Sequence, residues 1–581
     1  MRRILPLVFL GTIVSLIVAA CGGGSATATP VPPTRPVNTA APATAAATTA
    51  ANTAVPATAT PRPTAPPTAT PVPVPTGTMK LALDAFPGFG LLPGIGGNRR
   101  IFDSMFDALI GVDEKGLMDG KLGFVTSWEA SPDLLKWTFK VRTDVTFHDG
   151  STASAADLKH TLDFYNNADQ TNPTSSGQTT RVVTQGTIDV VDSTTVSASL
   201  KSKDYFFPQR FLTPSGLGSG TGYLLPKAYM DSKGYKEANK SPVGTGPYKF
   251  KSSIDNQQVI SEAWEKSHWL LGSPKFKTAE INGIPESSTR VALLKSGGAD
   301  AAVVLLGDVK ELKAGNFDVQ AATESRLGFV ELHDQFIPQY SGAANPLADV
   351  RVRKALSLAV DRDAIVATFL SGVGRPIDSH ILGKANPAYK EYPVEKQEVA
   401  AAKKLLADAG YPSGFPLVMY SLMNQGLNIS PEMIEAINVW WEAIGVKVTR
   451  KPLDVFAFLA LVAKHDFGAP TTSGIWYSAY APFFAGSPVG VKGTVRRDTE
   501  NDTLDSLSKQ LSAVTNQADY LRLAQAYADL ERSERISLPL WNTGDAYAVR
   551  KGLGGDTWNL GNSSFSANFV GLLTGKRATG R

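Results

Sequence analysis

Six histidines, His148, His160, His268, His333, His380 and His465, are the residues of this 581-residue chain best suited to proton transfer or metal ligation. None forms the His-Glu-x-x-His pair that sets two imidazoles and a base on one helix face, and no other pair has metal-ligand spacing. The single cysteine, Cys21, excludes an internal disulfide framework and any cysteine-built zinc or iron–sulfur site. Gly88-Phe89-Gly90-Leu91-Leu92-Pro93-Gly94 has proline where the dinucleotide fingerprint needs its third glycine. Gly216 to Gly222 alternates glycines but lacks the Lys-Ser/Thr that closes a phosphate loop, and no Gly-x-Ser-x-Gly elbow occurs. His148-Asp149 and Glu331-Leu332-His333-Asp334 are available to a scattered triad, but read more simply as turn and strand residues. The expectation is a binding protein with no catalytic residue, no metal and no cofactor.

The chemistry of Cys21 lies in its setting. Arg2 and Arg3 precede an apolar run, 4–20, broken by Pro6, Gly11, Thr12 and Ser15. A charged start, a short apolar stretch and small residues at its end make 1–20 a signal peptide. The run is shorter than the roughly 20 residues of a membrane span. It ends Val18-Ala19-Ala20-Cys21, which resembles a bacterial lipobox, with cleavage before Cys21 and a diacylglycerol on its sulfur. Acyl chains worth about 0.8 kcal/mol per buried CH₂ would then anchor the protein to a membrane. Residues 21–77 are almost wholly Ala, Thr, Pro and Val after the cysteine and its glycines, with 13 of the 38 prolines. Such a segment cannot bury enough apolar area to offset its ordering entropy, so it reads as a disordered, semi-stiff tether.

The net charge of +4 also belongs to this leader. Arg2, Arg3, Arg35 and Arg62 precede the first acidic residue, Asp84, which leaves equal numbers of basic and acidic residues for 78–581. The basic balance therefore reports nothing about a ligand, and no nucleic-acid partner is expected.

The remaining 504 residues must supply the elements that hold any site. Trp137, Phe139 and Val141 alternate with Thr138, Lys140 and Arg142, and Val145 and Phe147 follow up to His148-Asp149-Gly150. This period of two predicts a half-buried antiparallel strand pair closed by a turn. Ile188, Val190, Val196, Ala198 and Leu200 repeat the pattern about Asp192-Ser193, while 155–166 reads as a helix with Leu158, Leu162 and Tyr165 on one face. Later the period lengthens. Helices are predicted over 349–360, over 362–370 with Asp361 as N-cap, over 394–409 ending at Gly410, and over 431–444 ending at Gly445. A strand at Val446-Lys447-Val448 follows. Helix–Gly–strand units imply an α/β layer, behind a β-rich first half.

Several of these segments carry a further pattern. Leu122-Gly123-Phe124-Val125-Thr126-Ser127-Trp128-Glu129, Ser131-Pro132-Asp133, Trp137-Thr138-Phe139, Val145-Thr146-Phe147-His148-Asp149-Gly150 and Ala155-Ala156-Asp157 come first. Pro242-Val243-Gly244-Thr245-Gly246-Pro247-Tyr248 follows. Then come Asp349-Val350-Arg351-Val352-Arg353-Lys354-Ala355-Leu356 with Ala359-Val360-Asp361-Arg362. Ala402-Lys403-Lys404-Leu405-Leu406 with Ala409-Gly410-Tyr411, and finally Leu538-Pro539-Leu540, complete the order. The succession resembles the family 5 extracellular solute-binding proteins of ABC importers, the dipeptide- and oligopeptide-binding group, over about 78–581.

The resemblance implies an α/β, two-lobed fold of the periplasmic-binding-protein type II, cluster C, with an extra subdomain in the first lobe. Lobe I is expected at 78–112, 227–335 and 536–581, its subdomain at 113–226, and lobe II at 336–535. The lobes would close on a small-molecule ligand of the oligopeptide or oligosaccharide class. The closed form would be read by ABC permease and ATPase subunits, the protein acting as a monomer on the outer face of the cytoplasmic membrane or in the periplasm. A sensor presenting its closed form to a membrane receptor, or a sugar- or nickel-type binder, are the alternatives. Most signature residues are expected to be scaffold: His148-Asp149-Gly150 a hairpin turn, Gly244 and Gly246 backbone at φ > 0, and Arg351, Arg353 and Arg362 solvated or salt-bridged on helix faces.

In peptide-binding members a Trp-x-x-Asp segment supplies the carboxylate for the peptide ammonium. Here Trp476 is present but Ala479 stands in the acidic position. A buried ammonium without counter-charge costs several kcal/mol, so the usual peptide mode is not expected, with Asp466 and Asp378 as the substitutes to consider. Trp476, Tyr477, Ser478 and Tyr480 are the expected ligand contacts in this segment, joined by Phe86 and Phe89 from the first lobe. Rings so placed suit a ligand with an apolar face, and core packing is the alternative reading.

Overall fold

The computed structural model describes residues 74–84, 90–93, 99–113, 117–166, 186–214, 221–321, 326–333, 335, 339–340, 343–379, 381–384, 386–423, 431–454, 457–458, 461, 467, 470–479, 501–553 and 569–574. The signal peptide and tether expected over 1–77, Cys21 among them, lie outside this range up to residue 73.

Alternation builds a small sheet first. Trp137, Phe139 and Val141 point inward along β5 (Lys136–Val141). It pairs antiparallel with β4 (Val125–Ala130) on one side and β7 (Thr195–Ser199) on the other, with β6 (Thr187–Asp192) at the far edge. The hairpin expected about Asp192-Ser193 is thus present. The strand expected at Val145 and Phe147 is reduced to one bridge, Thr146 to Thr152, because Phe147 closes a tight turn onto Ser151 with Gly150 at φ 92°. The helix over 155–166 forms as read and packs against β6 and β7. A two-stranded ribbon, β2 (Gly111–Val112) with β3 (Met118–Asp119), precedes this sheet.

A seven-stranded sheet carries β12 (Phe317–Ala321), β21 (Ala546–Arg550), β11 (Ala301–Val304) and β1 (Thr78–Leu83) in that order. It continues through β10 (Thr278–Gly283) and β9 (Gln258–Ala263) to β8 (Tyr248–Ile254). A six-stranded sheet follows the order β16 (Arg375–Pro376), β20 (Ser537–Thr543), β13 (Arg326–His333), β19 (Thr471–Ala479), β17 (Pro416–Met423) and β18 (Lys447–Asp454). A second ribbon pairs β14 (Gln339–Tyr340) with β15 (Ala343–Ala344).

The chain passes between the two large sheets twice, from β12 to β13 and from β20 back to β21. Both crossings join strands that are neighbours on each side, Ala321 pairing with Ala546 and Arg326 with Thr543. The change of sheet thus falls before β13 and after β20. β13 and β20 carry their buried Val330, Leu332, Leu538 and Leu540 into an apolar cluster that also holds the helices Val350–Ala359 and Pro431–Ala443 and residues Ala302, Val304, Ala546 and Ala548 of the first sheet.

Other expectations are adjusted for similar reasons. The helix read over 394–409 begins at Val399. The preceding residues are tied elsewhere: Glu395 to Arg535, Lys396 to Asp363, Gln397 to the Ala359 carbonyl. Gly244 and Gly246 are not at positive φ. They are glycines because a Cβ would stand 2.0 Å from the Met105 carbonyl oxygen and 2.6 Å from the Ser104 oxygen. Arg351 is exposed and bound to Asp349 as expected, and Arg353 is salt-bridged to Glu534 at 3.4 Å, but Arg353 and Arg362 are each buried at 2% exposure. Arg353 donates to the carbonyls of Leu347, Ala348 and Glu534, and Arg362 to those of Ser357 and Pro539. Burial lowers both guanidinium pKa values to about 10. They clasp loop ends to helices.

Candidate functional site

The two crossings open directly onto a polar recess. One step inside the second sheet, Ser478 of β19, Leu327 of β13, Asn542 of β20 and Arg375 of β16 form a single cross-strand row. Leu327, Asn542 and Arg375 line a shallow recess with Ile377, Asp378, Ser379, Leu382, Gly383, Tyr389, Lys390 and Tyr392.

Local sequence explains the wall. Gly374 stands at φ 93°, with its Cα hydrogen facing the Asn542 carbonyl; a Cβ there would lie 2.2 Å from that oxygen. Only glycine lets the chain turn in close enough for Arg375 and Pro376 to pair with β20. The Ile377 N–H then bonds to the Leu540 carbonyl, and the segment beyond it folds over the pocket. Asn386 holds that segment by donating to the Tyr520 hydroxyl at 2.6 Å.

The charges are laid out in pairs. Asp378, 2% exposed, accepts from Arg532 Nε at 2.6 Å and from Arg535 Nη1 at 3.0 Å, one guanidinium on each oxygen. The second terminal nitrogen of Arg535 meets Glu395 at 2.6 Å. Arg375 Nη2 donates to the Tyr389 hydroxyl at 3.0 Å, and its Nη1 is 3.6 Å from the outward-facing Glu391. Lys390 and the Tyr392 hydroxyl both donate to Asp529 at 2.9 Å. Burial, reinforced by Asp529, pushes the Tyr392 hydroxyl pKa up. Behind the pocket Glu531 is fully buried; burial raises its pKa to about 7 against the opposing hydrogen bond from Ser537. Two buried polar atoms on the lining, Asn542 Oδ1 and Ser379 Oγ, have no hydrogen-bond partner within the protein.

Of the contacts expected from the sequence, Trp476, Tyr477 and Ser478 lie on β19, where only their strand register is described: opposite Phe329, Gly328 and Leu327. Ser478 is therefore in register with the pocket-lining Leu327. Phe86, Phe89 and Tyr480 lie outside the described residues, as do Asp466, His380 and His465. Asp378 is at the pocket, but not as a free counter-charge, since both its oxygens already serve arginines. Arg375, Asn542, Tyr389 and Tyr392 were missed. The turn Gly372-Val373-Gly374 ahead of Arg375 was the available signal, both glycines having positive φ.

Three of the described histidines, His148, His268 and His333, are occupied in scaffold. His148 Nε2 faces the Gly246 carbonyl at 2.9 Å and its Nδ1 accepts the Gly244 N–H at 3.3 Å, which stitches the first signature to the second. His268 Nδ1 accepts the N–H groups of Leu270 and Leu271, and its Nε2 lies 2.9 Å from Asp107, whose other oxygen accepts from Trp269. The His333 ring packs on Phe458 and Phe467. Among the described residues no group of three His, Cys, Asp or Glu is placed to hold a metal ion, and no helix is long and apolar enough to cross a membrane.

The sequence between residues 121 and 488 matches the model of the bacterial extracellular solute-binding proteins, family 5. The chain belongs to that family. A glutathione-binding protein from Pectobacterium atrosepticum is 26% identical over 357 residues, 61% of this chain and 65% of the relative. The match thus spans just under two thirds of that relative's length. Heme-binding protein A of Haemophilus influenzae is 26% identical over 447 residues, 71% of this chain and 76% of that protein. The ABC transporter-associated periplasmic binding protein DppA from Helicobacter pylori, solved with the peptide STSA, superposes with a TM-score of 0.66 at 18% identity, over 85% of this chain and 97% of that one. The fold is that of the type II periplasmic binding proteins, and the family's members are extracytoplasmic solute binders.

Proposed function

We propose that this protein is an exported, lipid-anchored capture protein that closes two lobes on a small solute and delivers it to an ABC permease. The observation that carries the reading is the position of the pocket. It lies at the root of the only two strand connections between the large described sheets, on Leu327 and Asn542, each one residue inside its crossing. The seven-stranded sheet with its four-stranded subdomain then forms one lobe and the six-stranded sheet with its helices the other. The hinge is bounded by Ala321 and Arg326 on one crossing and by Thr543 and Ala546 on the other. A ligand seated there has contacts that depend on hinge angle, so its binding energy shifts the population toward the closed form. Delivery to a permease follows from family membership. Cys21 carries the anchor, 22–77 the reach from the membrane, and the protein works as a monomer.

The test is ligand-induced closure. Screening peptides, sugars and amino-acid derivatives by thermal shift, followed by small-angle scattering with any stabilising compound, should show a fall in radius of gyration and recovery of the compound unchanged. Stabilisation without compaction refutes the hinge; turnover of the compound refutes a binding-only role. Replacing Trp476 with Ala should weaken the ligand by about 1 kcal/mol or more if the β19 aromatics line the cleft. Cys21→Ser should release the protein from the membrane fraction.

A further inference from the structure

Two phenylalanines adjacent in the chain are buried in different places, and the inference drawn from them rests on the two-lobed, solute-binding reading above. We propose that Phe206 is a latch between the lobes. Its ring, carried by the first lobe, seats in a socket on the second and so biases the protein toward its closed form.

Phe207 opens the short helix Phe207–Phe211 and is 1% exposed, with its ring 6.3 Å from Trp137, 6.1 Å from Phe139 and 5.2 Å from Phe211. That core also holds Met79 and Leu81 of the seven-stranded sheet, and the Leu212 carbonyl just beyond the helix accepts from the Ile110 N–H. The helix therefore belongs to the first lobe. Phe206 is one residue earlier and 2% exposed, yet it lies in another apolar cluster. Among the described residues its buried companions there all come from 382–536, including Leu382, Leu504 and Leu511 of the helix Asp502–Ser512, and Tyr520 and Leu523 of the helix Gln517–Glu534. The Tyr520 ring meets it edge-on, with centroids 4.8 Å apart. This socket is tied to the second lobe, since Asn386 donates to the Tyr520 hydroxyl and Arg532 and Arg535 bind Asp378 beside β16.

The ring is held rigidly on its own side. Asp204, 5% exposed, accepts the Phe206 N–H at 2.9 Å on one oxygen and Arg210 Nη1 at 3.3 Å on the other. The Arg210 guanidinium stands 5.9 Å from the Phe206 ring centroid. Pro208 in the first turn fixes the backbone where the helix begins. Rotation about the two crossings must then carry Phe206 away from Tyr520. Close-packed rings do not slide continuously, so the contact is either made or broken. Withdrawing one buried aromatic ring disfavours the open form by about ten- to a hundredfold. A solute that binds the closed form inherits that factor, because apparent affinity scales with the binding-competent fraction. Phe206 is thus a positioning residue, acting on capture through the lobe equilibrium.

The experiment uses the full-length chain carrying Cys21→Ser, which leaves no native thiol. Spin labels go on Lys236→Cys in the first-lobe helix Lys227–Lys240 and on Lys509→Cys in the helix Asp502–Ser512, both exposed positions. Double electron–electron resonance then reads the distance between lobes with no compound added. Without further change the distribution should be mainly short. Phe206→Ala should raise the ratio of long to short distances about ten- to a hundredfold, and Phe206→Leu by less. Should the alanine variant fail to fold, the leucine variant carries the same prediction at smaller amplitude. Phe211→Leu thins the first core alone, so it should lower the urea midpoint and leave the distances as they are. A ratio that Phe206 replacement leaves unchanged or lowers overturns the latch, as does equal lengthening in Phe211→Leu. Either result leaves solute capture standing, because capture is judged separately, by compaction of the wild-type chain around a stabilising compound.

Discussion

His148 makes the stability of the first lobe depend on pH in a definite direction. Its imidazole is neutral in the folded protein, with Nε2–H donating to Gly246 and Nδ1 accepting from Gly244. The Trp264 ring stands edge-on 5.2 Å away. Burial, opposed by the Gly246 hydrogen bond, lowers its pKa from 6.5 to about 4. An added proton would go on Nδ1 and point at an N–H, leaving two donors face to face. The unfolded chain takes up this proton near pH 6.5 and the folded protein only near pH 4, so between those values the unfolded state binds more protons. The contribution to stability is full above about pH 6.5 and falls as the pH drops toward about 4; 2.5 pH units at 1.36 kcal/mol each give a loss of about 3 kcal/mol. Other groups titrate in the same range, so the measurement is a difference: urea unfolding of wild type and His148→Gln from about pH 8 to about pH 4. The variant should be less stable at the upper end by about 1–3 kcal/mol for two altered hydrogen bonds. The gap should then close, or invert, at the lower end. A gap that stays constant or widens on acidification refutes the neutral, buried assignment.

Glu531 should act in the opposite sense. Its raised pKa, about 7 against 4.5, means that its contribution is full below pH 4.5 and is lost as pH rises through about 7. Glu531→Gln should therefore gain on wild type by up to about 3 kcal/mol between those limits in the same unfolding assay. Asp378→Asn strips the counter-charge from Arg532 and Arg535 and should cost about 3 kcal/mol or more; an unchanged midpoint would mean that water already solvates them. Gly246→Ala places a methyl group 2.6 Å from Met105 and Ser104 backbone atoms, so the loop must move, lowering stability by about 2 kcal/mol or more in thermal unfolding.

Local patterns with a fixed period were legible. The alternation in β5, the β6–β7 hairpin, the helix over 155–166 and the caps at Asp361 and Gly410 are decided by residues within a few positions of one another, and the structure has them where the pattern put them. Ordered motifs alone located the family. Elements whose fate depends on distant partners were misjudged. Residues 394–398 have helix-forming composition, yet their side chains are claimed by Arg535, Asp363 and Ala359. Gly244 and Gly246 look like turn glycines, but what forbids a side chain there is backbone more than a hundred residues earlier.

The candidate site belongs to the second kind. Ser478, Leu327, Asn542 and Arg375 are scattered over some two hundred positions and meet because β13 and β20 are buried against the helices of the second sheet and so share its register. By itself the sequence determined that this is a solute-binding protein of family 5 type, since motif order is a local property. Only the tertiary structure decided where the chain changes sheets and that Asp378 is already neutralised by Arg532 and Arg535. Charge in a site is set by which partners burial brings within reach, and no spacing along the chain records that.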